Sequence, residues 1–302
     1  MTLIAILISL LLERLLDHVQ DLRRYERYAD YIEWMRRHLQ GDSWDGRLGV
    51  LVLLAPPVLI TAVLQAGLED ALFGLLGLLF AIAVLLFCLG PRDLGHELAR
   101  YREALSAGDD ELATRLARTL LGHEPPPPAG AQARAVIETV LVQANVRVFG
   151  VLFWFVILGP VGAVLYRAVT ELRRHTLQDS DEFAWATRQL TEILDWVPAR
   201  LTAMGYALSG DFEAAVARWR AVSAGTDRWL VPASQVLIAA GCGALDVDED
   251  EDDDGDAVDA EVRIDANVAW DRTLQSAMAL VWRTLSLWVV VIALLTLAGW
   301  AG

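Results

Sequence analysis

Four long uncharged runs, Leu48 to Leu68, Ala71 to Gly90, Val148 to Tyr166 and Thr284 to Gly302, constrain this chain more than any other feature. A helix needs about 20 apolar residues to cross a hydrocarbon core about 30 Å thick, because lipid offers the backbone no hydrogen-bond partners. Each run has that length, so the pattern predicts an all-α, polytopic membrane protein with about four transmembrane helices. A fifth run, Leu3 to Leu12, stops at Glu13-Arg14 and predicts a short amino-terminal apolar helix, interfacial, re-entrant or tilted. No basic leader precedes it, and Glu13 to Asp17 stands where small residues would mark a cleavage site, so a cleaved signal is not expected. The 55% hydrophobic content and mean hydropathy of +0.38 exceed what soluble domains carry.

The net charge of −15 is local in origin. Asp246 to Glu261 holds eleven acidic residues and no basic one, which leaves −4 for the rest of the chain. This stretch reads as a solvated acidic linker. It also matches an EF-hand loop at Asp250, Asp252, Asp254, Gly255 and Glu261, but so acidic a run supplies the first three matches almost freely.

Several chemistries are excluded or unsupported. All 25 basic residues are Arg, so a Walker A loop and a Schiff-base lysine are both ruled out in their usual form. Cys88 lies in an apolar run and Cys242 in a Gly-Cys-Gly sequence that reads as a turn, which indicates neither a disulfide framework nor a zinc site. The five histidines show no paired ligand spacing. The arginines form no basic stripe with interleaved aromatics, so nucleic acid is not an expected partner. No metal or cofactor is expected from these patterns.

The chain divides into six stretches. Residues 1–47 comprise the apolar helix and an amphipathic helix rich in Arg, Tyr and Trp, suited to headgroups. Residues 48–90 form a transmembrane hairpin turning at Glu69-Asp70, with Pro56-Pro57 expected to kink its first helix. Residues 91–147 form a helical loop in which Gly108 and Asp109 end one helix and cap the next, before a stiff Pro125 to Pro128 connector. Residues 148–245 carry the run broken by Gly159-Pro160 and a helical polar region, with a second break at Gly210-Asp211. Residues 246–261 are the acidic linker, and 262–302 an amphipathic helix leading into a carboxy-terminal anchor.

Seven arginines lie in each of the regions 13–47 and 91–147, and none at the hairpin tip, which predicts a cytoplasmic location for both regions. The rule conflicts with itself further on, where Arg167, Arg173 and Arg174 follow the third run and Arg272 and Arg283 precede the last. Either Gly159-Pro160 makes the third segment re-entrant, or Trp196 to Ser209 dips back into the bilayer.

Charged side chains close to a span are costly unless paired or wetted, which singles out Glu138, Arg167, Asp195 and Arg200 as candidate ligand-binding residues. Arginine's planar fork suits phosphate or carboxylate, and a neighbouring acid can orient it, so a small anionic ligand is the chemistry expected. The bland alternative is that both arginines snorkel to headgroups while Asp195 pairs with a neighbour.

Three motifs make the chain recognisable: Arg134-Ala-Val-Ile-Glu-Thr-Val140, Leu158-Gly-Pro-Val-Gly-Ala-Val-Leu-Tyr-Arg-Ala-Val169 and Leu194-Asp-Trp-Val-Pro-Ala-Arg-Leu201. They resemble the shared core of the CobD/CbiB superfamily of membrane proteins. The opening Met1-Thr-Leu with Leu12-Glu-Arg-Leu15, and the closing Leu287 to Gly299, resemble its AmpE branch. That resemblance implies a multi-pass protein of the bacterial inner membrane, a signalling component of beta-lactamase induction, non-enzymatic or of unassigned biochemical action, with a protein partner in cell-wall recycling. The alternative branch implies an adenosylcobinamide-phosphate synthase, which joins adenosylcobyric acid to an aminopropanol using ATP and magnesium. Against that branch's pattern, Leu141, Val142 and Gln143 follow Glu-Thr-Val without acids. Arg173 also stands where synthases carry Asp, and only Thr191-Glu192 remains of an acidic pair.

Overall fold

The computed structural model describes residues 2–15, 26–38, 46–68, 74–89, 91–177, 179, 181–224, 231–247 and 260–298. Among them the fold is all-helical: α1 Thr2–Leu15, α2 Glu26–His38, α3 Arg47–Leu68, α4 Leu75–Cys88, α5 Pro91–Ala107, α6 Asp110–Leu121, α7 Ala129–Ala144, α8 Gly150–Leu158, α9 Pro160–His175, α10 Glu182–Ser209, α11 Phe212–Ala224, α12 Ala233–Leu245 and α13 Ala260–Leu297. A π-helical turn, Asn145–Phe149, joins α7 to α8 without interrupting the rod. The hairpin tip, most of the acidic linker, and the EF-hand positions Asp250, Asp252, Asp254 and Gly255 lie outside the described residues.

Among the described residues, three helical stretches are long and apolar enough to cross a membrane, Arg47–Leu68, Ala129–Leu158 and Asn267–Leu297. This is the architecture of a polytopic membrane protein. The second expected span is the shorter α4, 14 residues long. The third runs earlier than expected: it begins at Ala129 and ends at Leu158, because Gly159 takes a φ of 68° and Pro160 starts a new helix at its first position.

Contacts divide the chain into two units. The first comprises residues 1–90, 146–198 and 289–302. In it α1 packs on α4, and α9 packs on α3, α4 and α8. The second comprises residues 91–145 and 199–288, where α5, α6 and α7 pack mutually and α12 packs on α7 and α11.

Each helix break has a local cause. Gly108 adopts a φ of 70°, and the Asp109 carboxylate then caps α6 by accepting from Leu112 N at 2.9 Å. Asp211 caps α11 in the same way, through Ala214 N at 2.9 Å. The prolines within α3 leave it helical throughout. Pro57 lacks the N–H that would reach the Leu53 carbonyl, and the Tyr31 hydroxyl donates to that carbonyl instead, at 2.9 Å.

Cys242 is not in a turn. Gly241-Cys-Gly243 lies inside α12, where the missing side chains allow close packing. A Cβ on Gly241 would stand 2.5 Å from Leu141 Cδ1, and one on Gly243 would stand 2.7 Å from Ala215 Cα. The glycines serve helix contact, a use that local sequence does not distinguish from a turn.

Candidate functional site

The Gly159-Pro160 break folds the third run back on itself. α9 returns along α8 so closely that a Cβ on Gly162 would lie 2.1 Å from the Trp154 carbonyl oxygen, and one on Gly150 would lie 2.2 Å from Tyr166 Cζ. Gln65 of α3 secures the corner, its Oε1 accepting from Val161 N at 3.2 Å. The helices double back at Gly159-Pro160.

Because Gly150 has no side chain, the Tyr166 ring passes over α8 and reaches α10. There its hydroxyl donates to Asp195 Oδ1 at 2.5 Å, and both residues are buried. One residue along α9, the Arg167 guanidinium meets Glu171 at 2.8 Å, with the two side chains only 13% and 6% exposed. Further along the helix, Arg173 meets Glu192 of α10 at 3.3 Å. Unit one thus holds a polar layer between α9 and α10 in which Glu171, Glu192 and Asp195 all have partners.

The same layer explains Pro198 inside α10. A proline there leaves the Leu194 carbonyl without its helical donor. Trp154 Nε1 fills the vacancy, donating to Leu194 O at 3.1 Å. In the motif Leu194 to Leu201, the proline therefore makes the acceptor to which α8 is attached.

Glu138 and Arg200 belong to unit two. Glu138 accepts from Arg134 Nε at 3.1 Å across one turn of α7, and Arg200 donates to the Val231 carbonyl at 3.4 Å. Nearby, where the π turn disturbs the helical ladder, α10 supplies two bonds. The Tyr206 hydroxyl donates to Leu141 O at 2.9 Å, and Thr202 Oγ1 donates to Asn145 Oδ1 at 3.1 Å. Of the four candidates, then, Arg167 and Asp195 share a layer in one unit, while Glu138 and Arg200 sit in the other.

Sequence reasoning passed over Tyr166, Glu171 and Trp154 as site residues. Glu171 was readable, since it stands four residues after Arg167 on one helix. Tyr166 and Trp154 act on α10 from about 30 to 40 residues away, a reach that depends on glycines whose purpose appears only in the packing.

Among the described residues, no three His, Cys, Asp or Glu side chains converge to hold a metal ion. Glu171, Glu192 and Glu138 each face an arginine, and Asp195 accepts from Tyr166. With these partners the carboxylates do not form a magnesium cradle.

The fold and its buried polar layer define a multi-helix membrane protein. A family model described as CobD/Cbib protein matches residues 6–250. The cobalamin biosynthesis protein CobD of Stutzerimonas stutzeri is 30% identical over 301 residues, covering 97% of this chain and 96% of that protein. The CobD protein of Chromobacterium violaceum is 34% identical over 207 residues, 67% of this chain and 63% of that protein, so the match spans less than two thirds of its length. Protein AmpE of Shigella flexneri is 27% identical over 239 residues, 72% of this chain and 78% of that protein. No solved structure matches the chain. The chain belongs to the CobD/CbiB family.

These relatives overturn the expectation of an AmpE-type signalling protein in beta-lactamase induction. The similarity to CobD runs through both ends of the chain, the regions on which the AmpE reading rested. Those ends are apolar helices whose composition is dictated by lipid, so they discriminate poorly between branches of one family.

Proposed function

We propose that this chain is a cobalamin biosynthesis protein of the CobD kind, an adenosylcobinamide-phosphate synthase that forms an amide between adenosylcobyric acid and an aminopropanol. The observation that carries the reading is similarity to a CobD protein along 97% of the chain. The protein resides in the bacterial inner membrane as a multi-pass protein, a reading supported by its three long apolar helices.

In this reading, Arg167 binds a carboxylate or phosphate group of the substrates, and Glu171 holds its guanidinium in place. Amide formation breaks the carboxyl C–O bond, whose oxygen leaves as phosphate after activation by ATP, and releases a proton from the attacking amine, which Asp195 Oδ1, the acceptor from Tyr166, takes. In unit two, Arg200 offers a second guanidinium to groups of the same kind, and Glu138 orients Arg134. The departures from the synthase pattern fit one arrangement: Arg173 meets Glu192, the remaining acid of the former pair.

The test is genetic. Expressed at normal level in a bacterium lacking its own CobD, the chain should restore cobalamin-dependent growth, and Arg167→Ala or Asp195→Asn should abolish the rescue while the protein still accumulates in the membrane. Absence of rescue by the unaltered, membrane-inserted chain would sink the assignment.

A further inference from the structure

α10 is not among the helices whose hydropathy marks them as membrane spans, yet one of its faces has the character of a lipid-facing surface. Between Leu190 and Leu208 every exposed residue is apolar: Ile193, Val197, Leu201, Met204 and Leu208. Their spacing of four, four, three and four places them in one stripe. Ile193 is 67% exposed and Leu208 61%. At ~1.5 Å per residue the stripe is about 22 Å long, most of a hydrocarbon core.

The polar residues of this stretch turn the other way. Thr191, Asp195, Thr202 and Tyr206 are buried. Asp195 accepts from Tyr166, Thr202 donates to Asn145, and Tyr206 donates to Leu141. Glu192 and Arg200 are half-buried and engage Arg173 and the Val231 carbonyl. A helix at a water-facing surface has the opposite arrangement. Ionisable residues within a membrane segment characteristically face the protein, as these do.

Both ends of the stripe are marked. Before it, Arg188 and Gln189 are exposed, and Arg47 lies 5.3 Å over the Trp185 ring. Arg47 opens α3, itself long and apolar enough to span, so Trp185 stands beside the start of a span, where aromatic residues collect at the interface. After it, Gly210 and Asp211 are exposed. The inner face of α10 bonds Asn145 and Leu141 within unit two and Trp154 within unit one.

We propose that α10 is embedded in the bilayer, with lipid acyl chains as the occupant of the face Ile193, Val197, Leu201, Met204 and Leu208. Hydropathy averaging hides it because Glu192, Asp195 and Arg200, the charges that depress the mean, engage Arg173, Tyr166 and the Val231 carbonyl rather than standing in the exposed stripe. Five large apolar side chains in a row, with no exposed polar residue among them, are a liability in water and are ordinary against acyl chains.

The test uses the full chain in phosphatidylethanolamine and phosphatidylglycerol liposomes, with Cys88 and Cys242 replaced by Ala. Single cysteines at Val197, Leu201 and Met204 carry a spin label whose collisions with oxygen and with a water-soluble nickel chelate are compared. Oxygen collisions several-fold in excess are expected at all three, and the reverse at Arg188→Cys. Nickel collisions as frequent as at Arg188→Cys put the face in water and overturn the proposal. Low rates with both reagents mean that protein covers the face, which overturns it as well. The unsubstituted chain provides a second measurement: a diazirine phospholipid should cross-link to peptides between Arg188 and Arg218, and no adduct there would equally overturn it.

Discussion

Trp154 and Leu194 are joined by a hydrogen bond of 3.1 Å whose acceptor exists because of a third residue, Pro198. The proline removes the helical donor from the Leu194 carbonyl, and the indole of α8 replaces it. The prediction is a coupling. Trp154→Phe should lower stability by about 1–2 kcal/mol, the cost of a buried unsatisfied carbonyl. In a Pro198→Ala background, where the carbonyl regains its helical donor, the hydrogen-bond part of that cost should vanish. Thermal unfolding of the four purified proteins closes the cycle, and purely additive effects would refute the account.

Gly150 makes room for the Tyr166 ring. A Cβ there would stand 2.2 Å from Cζ, a separation that forces the ring to move. Gly150→Ala should therefore dislodge Tyr166 from Asp195 and reduce the folded yield severely. Gly67→Ala, with nothing within 4 Å of the added Cβ, should leave yield unchanged. Detergent size-exclusion profiles of the two variants compare them directly.

Arg167 and Glu171 form a largely buried pair, and fully buried pairs are destabilised most when only one partner is removed, by about 3–5 kcal/mol. Glu171→Leu alone should therefore lower the melting temperature more than Arg167→Met with Glu171→Leu together. If the double variant recovers stability yet fails to support cobalamin synthesis, the pair serves the substrate rather than the fold. Growth and melting temperature, measured on the same variants, separate the two roles.

Arg102 grips Asp271 through two bonds, Nε at 2.8 Å and Nη2 at 3.1 Å, within unit two. Lysine offers a point charge and cannot reproduce the fork. Arg102→Lys and Arg102→Ala should thus be nearly equally destabilising, each by about 1 kcal/mol, since the site is partly solvated. A lysine variant as stable as wild type would show that charge alone suffices.

Much of the fold was legible without coordinates, and the reason differs from element to element. The apolar runs were readable because lipid demands uninterrupted length, and the Gly108-Asp109 and Gly210-Asp211 breaks because capping is local chemistry. The glycines of α12 were misread, because their reason lies on α7 and α11, far off in sequence. The signalling role was misassigned on chain ends whose apolar composition reflects the solvent, whereas relatedness along the whole length favoured CobD.

By itself the sequence determined that the chain is helical, that it enters a membrane, and which charged residues stand near the spans, all of them consequences of local composition and the length of a bilayer. Only the tertiary structure decided what those charges do. Arg167 is bound to Glu171, Asp195 to Tyr166, and the Leu194 carbonyl freed by Pro198 to Trp154. The last two partnerships cross between helices, and the one at Asp195 depends on α8 and α9 approaching at Gly150. Tertiary structure also decided which way α10 faces, because a mean over its residues is blind to direction and packing is not.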